Sequence, residues 1–170
     1  IGDTSMQDLK AIRFIGDTKI SHDYSDKNIE IFSYRDLIEK EVSHIGIPCR
    51  PNGLVVIDVD VEGATHKHDG REWWTSFVNT NGIPPTYTVK TASGGYHFYF
   101  KLPLAINPDS FKPPGKLANG VDVKWNGWIA APPSSGYTVC YGNISTIAEV
   151  PPSLMMELSH KNITGKDREF

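Results

Sequence analysis

The sequence predicts an α+β domain in which helices cover one face of a mixed sheet. Three observations predict it. A β-branched run stands between turn residues, a hairpin pattern follows it, and short alternating strands separated by glycine turns come after that. Segments with helical spacing of apolar residues lie between or outside these strands. The 170 residues suit one domain, or one domain with a small appendage.

The first half of the chain contains two predicted helices around one predicted strand. Ser33 can cap a helix that continues through Leu37, Ile38 and Val42. The run at 53–61 is a buried strand, and a second helix begins at Asp69 or Gly70 and ends at Asn81-Gly82. Residues 1–31 give no clear element. The tetrapeptide Ile-Gly-Asp-Thr occurs there twice, at 1–4 and 15–18, which we treat as chance.

The second half is predicted to be rich in strands. Residues 86–91 and 96–102 form a hairpin, and proline-rich 103–115 is a long connection. Three short strands follow at 121–125, 128–131 and 137–141. A last helix opens at Pro151-Pro152 and passes through Leu154, Met155 and Leu158.

Composition describes an ordinary globular protein, with 39% hydrophobic and 22% charged residues. The net charge of −3 is weak evidence against nucleic-acid binding, because a carboxylate site looks acidic until its metal ions are counted. The two cysteines form no CxxC pair, which argues against a disulfide framework or a zinc site. No apolar run is long enough to span a membrane and no signal peptide is visible, so we expect a cytoplasmic protein. Because the chain begins with Ile1, we expect it to be a fragment or a processed product.

Asp58 and Asp60 are the first candidates for chemistry. They stand two residues apart on a predicted strand, so both side chains leave one face while Ile57, Val59 and Val61 point to the core. Carboxylates this close repel each other, and a divalent cation removes that cost. Oxygen ligands favour Mg²⁺ or Mn²⁺ over zinc. The alternative is a pair of strand-end aspartates satisfied by backbone amides or an arginine, and the motif alone does not decide between the two.

Asp122 is a third candidate ligand. It lies in the alternating strand 121–125, which places Asp122 and Lys124 on the polar face. If this strand pairs with the Asp58 strand, three carboxylates converge and can hold two metal ions. Without that pairing, Asp122 is a solvated aspartate beside Lys124.

The loop that joins the predicted hairpin is a candidate phosphate site. Gly94 and Gly95 free the backbone to point amides at an anion, while Ser93 and His97 can add a hydroxyl and a ring N–H. The alternative is that the two glycines only make the turn and that His97 is a satisfied strand residue.

Two lysines lie on polar faces near these elements. Lys90 and Lys124 could each neutralise a triphosphate, although most strand lysines are solvated edge residues. Lys124 is favoured because it shares a face with Asp122. His66 and His68 lie with Asp69 in a polar loop that offers no further ligands, and we do not count them as a metal site.

One aromatic cluster has two possible uses. Trp73, Trp74 and Phe77 are expected to pack in the core rather than to form a platform on which bases stack.

In their order along the chain, these motifs resemble the bifunctional primase-polymerase domain of the archaeo-eukaryotic primase superfamily. The resemblance covers about half of the chain, from roughly 46 to 142. Four segments carry it: GLVVIDVD at 53–60, TASGGYHFYF at 91–100, GVDVK at 120–124 and WIAAPPS at 128–134.

The resemblance implies roles for the candidate residues. Asp58, Asp60 and Asp122 would be catalytic metal ligands for two Mg²⁺ or Mn²⁺ ions. Ser93 and His97 would hold the triphosphate of the incoming nucleotide, and Lys124 would lie beside it. Zinc is not expected, because two isolated cysteines cannot supply the zinc-binding stem of some plasmid relatives.

The resemblance also implies an architecture and partners. The archaeo-eukaryotic primase catalytic core has a mixed sheet resembling an RNA-recognition motif, preceded by an N-terminal α/β subdomain, with helices covering the sheets. We therefore expect a catalytic domain over 1–160, with the first subdomain over roughly 1–85 and the RNA-recognition-motif-like part over roughly 86–150. Residues 161–170 would be a polar tail or the start of a linker. Such domains occur in plasmid and phage replication proteins of bacterial or archaeal hosts, so DNA template and primer, nucleoside triphosphates and a fused or separate helicase are the expected partners, without a membrane.

The function expected on these grounds is two-metal phosphoryl transfer from a nucleoside triphosphate to a DNA 3′-hydroxyl. Two alternatives stay open. A metal-dependent nuclease needs the same carboxylates, and a non-catalytic nucleotide- or nucleic-acid-binding module could keep the same fold.

Overall fold

Two β-sheets form the frame of the described part of the chain, and three helices found there lie against them. The computed structural model describes residues 5–13, 30–63 and 66–160. The strands found within these residues are β1 (Lys10–Arg13), β2 (Phe32–Ser33), β3 (Ile45–Pro48), β4 (Leu54–Val59), β5 (Thr88–Lys90), β6 (Tyr96–Lys101), β7 (Lys116–Ala118), β8 (Val121–Lys124), β9 (Trp128–Ala131), β10 (Thr138–Tyr141) and β11 (Ala148–Glu149). The helices are α1 (Tyr34–Glu39), α2 (Arg71–Asn81) and α3 (Pro152–His160).

The larger sheet has β4 near its centre. Its strand order is β10-β5-β6-β4-β8-β7, with antiparallel neighbours throughout, and β11 pairs in parallel with the end of β6. The smaller sheet has the antiparallel order β2-β1-β3-β9. The predicted α+β class with a mixed sheet is therefore confirmed, in a protein that is rich in sheet and has few helices.

Strand β4 is apolar on both faces because both faces are buried. Leu54 and Val56 belong to a core that also contains residues of β1, β3 and β9, so this core lies between the two sheets. Val55, Ile57 and Val59 belong to a second core, which α2 and α3 cover. A strand held in this way between two cores can carry polar side chains only where one core ends.

The helices cover the larger sheet differently from the prediction. Helices α2 and α3 pack on one face, as predicted, through Trp74, Leu154 and Leu158. The opposite face is covered by the smaller sheet together with α1, which contributes Tyr34 and Leu37. Strands β1 to β3 were not predicted, since they are two to four residues long and lack a clear alternation.

Two element ends differ from the prediction for local reasons. The helix capped by Ser33 does begin there, and Ser33 Oγ accepts the Asp36 backbone N–H at 3.2 Å. It ends at Glu39 and does not continue through Val42 as predicted, because Glu41 takes a left-handed conformation with φ 56°. The long strand ends at Val59, before the predicted end at residue 61. Val61 was predicted to lie in the core, but it is only half-buried.

The other predicted elements are confirmed with small shifts. The hairpin is β5 and β6, the three short strands are β8, β9 and β10, and the last helix is α3. Both sheets take strands from both sides of residue 85, since β4 lies in the larger sheet and β9 in the smaller one. The domain boundaries expected from the sequence stay a prediction.

Several expectations fall on residues outside the described ranges. These are the two Ile-Gly-Asp-Thr tetrapeptides and the tail at 161–170. Among the helices of the described chain, none has the length and apolar character needed to cross a bilayer.

Gly70 and Gly120 meet backbone to backbone, and their contact fixes the position of Asp60. The Asp60 N–H donates to the Gly120 carbonyl at 2.7 Å, and the Asp60 carbonyl accepts the Gly70 N–H at 2.8 Å. A Cβ on Gly70 would lie 2.2 Å from the Gly120 oxygen, and Gly120 has a φ of +79°. Both positions therefore require glycine.

We expect Gly120→Ala to lower the free energy of unfolding by about 2–3 kcal/mol, because the added Cβ would collide with the Gly70 backbone. Urea denaturation measures this change. The matched control is Gly127→Ala, where a Cβ meets nothing within 4 Å, and which should change stability by less than about 1 kcal/mol. Equal effects of the two substitutions would show that the Gly70–Gly120 contact does not constrain the fold.

Candidate metal centre

One row of cross-strand neighbours brings three polar side chains together on the larger sheet. Asp58 of β4 stands opposite His97 of β6 on one side and opposite Asp122 of β8 on the other. Directly opposite residues in an antiparallel pair project from the same face. The strand pairing on which the predicted convergence of Asp58 and Asp122 depended is therefore present.

Asp60 completes a cluster of three carboxylates. One carboxylate oxygen from each of Asp58, Asp60 and Asp122 can be chosen so that all lie within 4.8 Å of one another. The three side chains are 17%, 13% and 25% exposed, respectively. The cluster is thus partly shielded from water but still open to a ligand.

Burial and mutual repulsion both act on these carboxylates. Burial is the largest cause that raises the pKa of Asp58 to about 6, and the negative charges of Asp60 and Asp122 add to it, while Lys124 and His66 oppose it. Burial also raises the pKa of Asp60, with His66 opposing. A cation bound among the three would relieve this repulsion.

Each carboxylate has a basic side chain nearby. His97 Nε2 lies 3.6 Å from Asp58 Oδ1, His66 Nδ1 lies 3.6 Å from Asp60 Oδ2, and Lys116 Nζ lies 3.3 Å from Asp122 Oδ1. These distances are too long for strong hydrogen bonds, and the two histidines form ion pairs with Asp58 and Asp60 only when they are protonated. The Lys116 side chain is 53% exposed, and such a pair contributes little to stability.

Two of these neighbours, His66 and Lys116, were not among the residues predicted for the site. His66 was set aside because its loop offers no other ligand, yet that loop folds back over Asp60, and the Gly63 N–H donates to the His66 carbonyl. Lys116 was missed because β7 has only three residues. The signal for His66 was its short distance in sequence from Asp60, while Lys116 could be found only through the pairing of β7 with β8.

Both glycines of the β5–β6 loop have a structural reason to be there. Gly94 has a φ of +92°, and its N–H donates to the Thr91 carbonyl within the turn. A Cβ on Gly95 would lie 2.3 Å from the Val59 carbonyl oxygen. The turn interpretation thus accounts for Gly94. The close approach of the Gly95 backbone to Val59 explains Gly95, and it brings the loop beside the end of β4, next to Asp60.

Ser93 and His97 are placed differently with respect to water. Ser93 is exposed, and its hydroxyl lies 3.3 Å from the Thr91 hydroxyl. The His97 side chain is only 7% exposed, and its ring centroid lies 6.1 Å from that of Tyr137. His97 therefore lies buried beside the carboxylate cluster, whereas Ser93 is exposed in the β5–β6 loop.

The segment that follows β9 is attached firmly beside the site. The buried Ser134 hydroxyl accepts the Ile45 N–H at 2.8 Å and donates to the Ile45 carbonyl at 2.9 Å. A Cβ on Gly136 would lie 2.7 Å from the Ala92 Cβ, so this segment packs against the β5–β6 loop. Ser134 thus fixes this segment to β3 through two hydrogen bonds with the Ile45 backbone.

The structure separates the two candidate lysines. Lys124 is half-buried, lies two residues from Asp122 on the same face of β8, and lowers the pKa of both Asp58 and Asp60. Lys90 is exposed and follows Val89, the residue that pairs with His97. Strand alternation therefore puts Lys90 on the opposite face, away from the carboxylates.

The aromatic cluster packs as expected. Trp74 is 4% exposed and lies in the core that α2 covers. Phe77 stacks on both Trp73 and Trp74, with ring centroids 5.2 Å and 5.9 Å away.

The donor set fits a hard divalent cation. All three ligand side chains offer carboxylate oxygens, which suit Mg²⁺ and Mn²⁺. The partly shielded negative cluster, with the pKa of Asp58 raised, is the electrostatic condition that a bound cation would relieve. Neither cysteine can join a zinc site here, since Cys49 is buried in the core between the sheets and Cys140 lies exposed on β10.

Comparison with known proteins gives one clear result. No curated protein matches the chain. The sequence model of the Prim-Pol family, described as bifunctional DNA primase/polymerase, N-terminal, matches residues 21–153. That range covers more than half of the chain and includes all three aspartates, the β5–β6 loop and Lys124. The resemblance is confirmed: the chain belongs to the Prim-Pol family.

Proposed function

We propose that this domain is a DNA-directed nucleotidyl transferase that extends a DNA 3′-hydroxyl from nucleoside triphosphates with two divalent metal ions. Membership of the Prim-Pol family supplies the coarse activity, nucleotidyl transfer by a DNA primase/polymerase domain. The observation that carries the finer proposal is the row Asp122–Asp58–His97, with Asp60 beside it.

The proposed roles of the residues follow from their positions. Asp58, Asp60 and Asp122 would hold the metal ions, which activate the attacking hydroxyl and neutralise charge on the leaving pyrophosphate. His97 and Ser93, on the β6 side of Asp58, would contact the triphosphate oxygens. Lys124, on the β8 side, would add positive charge beside the α-phosphate. The protein's own side chains position the reactants and neutralise their negative charge, so no nucleophilic side chain is needed.

Two other functions remain distinguishable from this one. A metal-dependent nuclease would use the same carboxylates but has no need for His97 and Ser93 as triphosphate contacts. A non-catalytic nucleotide- or nucleic-acid-binding module would bind nucleotide without turnover. The pairing of His97 with Asp58 across β6 and β4 favours the transferase, because it places a side chain that can donate a hydrogen bond to a phosphate next to the metal ligands.

Primer extension tests the proposal directly. With a primed DNA template, deoxynucleotides and Mg²⁺ or Mn²⁺, we expect Asp58→Ala and Asp122→Ala each to reduce extension by at least about 100-fold. The matched control is Asp109→Ala, because Asp109 is 85% exposed and pairs with Arg50 on the surface. Normal extension by the Asp58 and Asp122 variants would contradict the proposal. Primer degradation by the wild type, lost in both variants, would establish the nuclease instead.

Removing the triphosphate contacts should act mainly on nucleotide binding. We expect Ser93→Ala and His97→Ala to raise KM for the nucleotide by roughly tenfold, because each removes a hydrogen bond to a charged group. Steady-state kinetics on the primed template measures KM and kcat separately. Ser93 is exposed, so Ser93→Ala should keep the fold. A raised KM in that variant cannot be due to misfolding, which could affect the variant of the buried His97. An unchanged KM in both variants would remove these residues from the triphosphate site.

The stability that protonated Asp58 contributes to the metal-free domain should be lost as the pH rises from about 4 to 6. The pKa of Asp58 is raised from 3.8 to about 6 in the folded state, so the folded form binds a proton more tightly than the unfolded form does. That stabilising effect is complete below pH 4 and is lost as the pH rises through 6. We expect Asp58→Asn to stabilise the metal-free domain at pH 7.5 by roughly 1–3 kcal/mol.

Urea denaturation at pH 5 and pH 7.5 measures this linkage. Added Mn²⁺ should stabilise the wild type at pH 7.5 more than it stabilises Asp58→Asn, since only the wild type keeps all three carboxylates. A variant that is less stable than the wild type at pH 7.5 without metal would contradict the assigned repulsion.

A further inference from the structure

A cavity of about 660 Å³ lies at the turn between β8 and β9. Its walls are formed by the proline pair before β7, the end of β8 and the β8–β9 turn, and include Pro113, Pro114, Lys124, Trp125, Asn126 and Trp128. Among the described residues that line it, none is acidic and Lys124 is the one cationic side chain. With tryptophan and proline surfaces, polar groups and one cation in its walls, the cavity suits a ring with polar edges that is attached to an anion.

Lys124 connects this cavity to the carboxylates. It stands opposite Val56, while Asp122 stands opposite Asp58, so the two positions are neighbours on one face of β8. Residues two apart on a strand are about 7 Å apart. A molecule that fills the cavity and carries a phosphate can thus reach the carboxylate cluster by passing Lys124.

His97 and the cavity lie on opposite sides of Asp58. Across the sheet, His97 on β6 lies to one side of Asp58, and β8 with the cavity lies to the other. Along the strands, Ser93 and the β5–β6 loop lie beside the Asp60 end of β4, whereas Lys124 and the cavity lie toward the Leu54 end. With neighbouring strands about 4.8 Å apart, His97 and β8 are separated by about 10 Å.

We propose that this cavity receives the nucleoside part of the incoming nucleotide, with the base against Trp128 and the proline pair. The inference rests on the proposed function, because it requires the β- and γ-phosphates to lie near His97 and Ser93. The α-phosphate then lies at the carboxylate cluster, and the sugar and base continue past Lys124 into the cavity. Stacking of a base on an aromatic ring contributes about 1–3 kcal/mol and tolerates any base, which suits an enzyme that must accept four nucleotides.

The test compares two probes that share phosphates but differ in the nucleoside. Calorimetry measures binding of dATP and of inorganic tripolyphosphate to the full chain with Mg²⁺ and without DNA. We expect Trp128→Ala to weaken dATP binding by about tenfold and to leave tripolyphosphate binding unchanged. Trp73→Ala is the control, since Trp73 stacks on Phe77 of α2, away from the cavity, and should change neither affinity.

A second variant keeps the test independent of any loss of packing at Trp128. Gly127 lines the cavity, and a Cβ there would meet nothing within 4 Å. Gly127→Leu should therefore narrow the cavity without a clash, and it should weaken binding of dATP but not of tripolyphosphate. An unchanged dATP affinity in both variants, or an equal loss for both probes, would overturn the inference. Weakened binding of single-stranded DNA with unchanged dATP affinity would assign the cavity to the template and overturn it as well. Failure of the wild type to bind either probe would instead remove the proposed triphosphate site, and the inference with it.

Discussion

The antiparallel register of β4 with β6 and β8 is the constraint on which the rest of the structure depends. It sets His97, Asp58 and Asp122 side by side on one face of the larger sheet. A slip of one residue would turn Asp58 toward the core under α2 and α3, where Ile57 and Val59 now lie. Burial of β4 on both faces makes that slip costly. The fold thereby holds like charges closer together than they would remain in a flexible chain.

This arrangement explains why the site combines a rigid floor with loops that approach it closely. Asp60 lies just past the end of β4 and is held by backbone hydrogen bonds to Gly70 and Gly120. Gly95 allows the β5–β6 loop to reach the same end of β4. Burial, followed by the negative charges of Asp60 and Asp122, raises the pKa of Asp58 in this arrangement. The register of β4 with its two neighbours also places the proposed triphosphate contact His97 on one side of Asp58, and Lys124 with the cavity on the other.

The sequence predicted the parts of this site that depend on alternation along a single strand. The pairs Asp58 with Asp60 and Asp122 with Lys124 could each be assigned to one strand face, because the residues that alternate with them are apolar and marked the opposite face as core. The meeting of the two strands was a condition that the sequence could not decide, because pairing is a long-range choice. His66 and Lys116 were missed for the same reason, since they reach Asp60 and Asp122 through a folded loop and a three-residue edge strand. The smaller sheet was missed because its strands are short and its β1–β3 pairing joins distant parts of the chain.

The central claim is that Asp58, Asp60 and Asp122 together hold the divalent ions for nucleotidyl transfer. Anomalous diffraction from a crystal grown with Mn²⁺ and a non-hydrolysable deoxynucleotide triphosphate tests it most directly. We expect manganese peaks among the three carboxylates, with the triphosphate density directed toward His97 and Ser93. Peaks elsewhere, or a nucleotide bound without manganese at these aspartates, would contradict it.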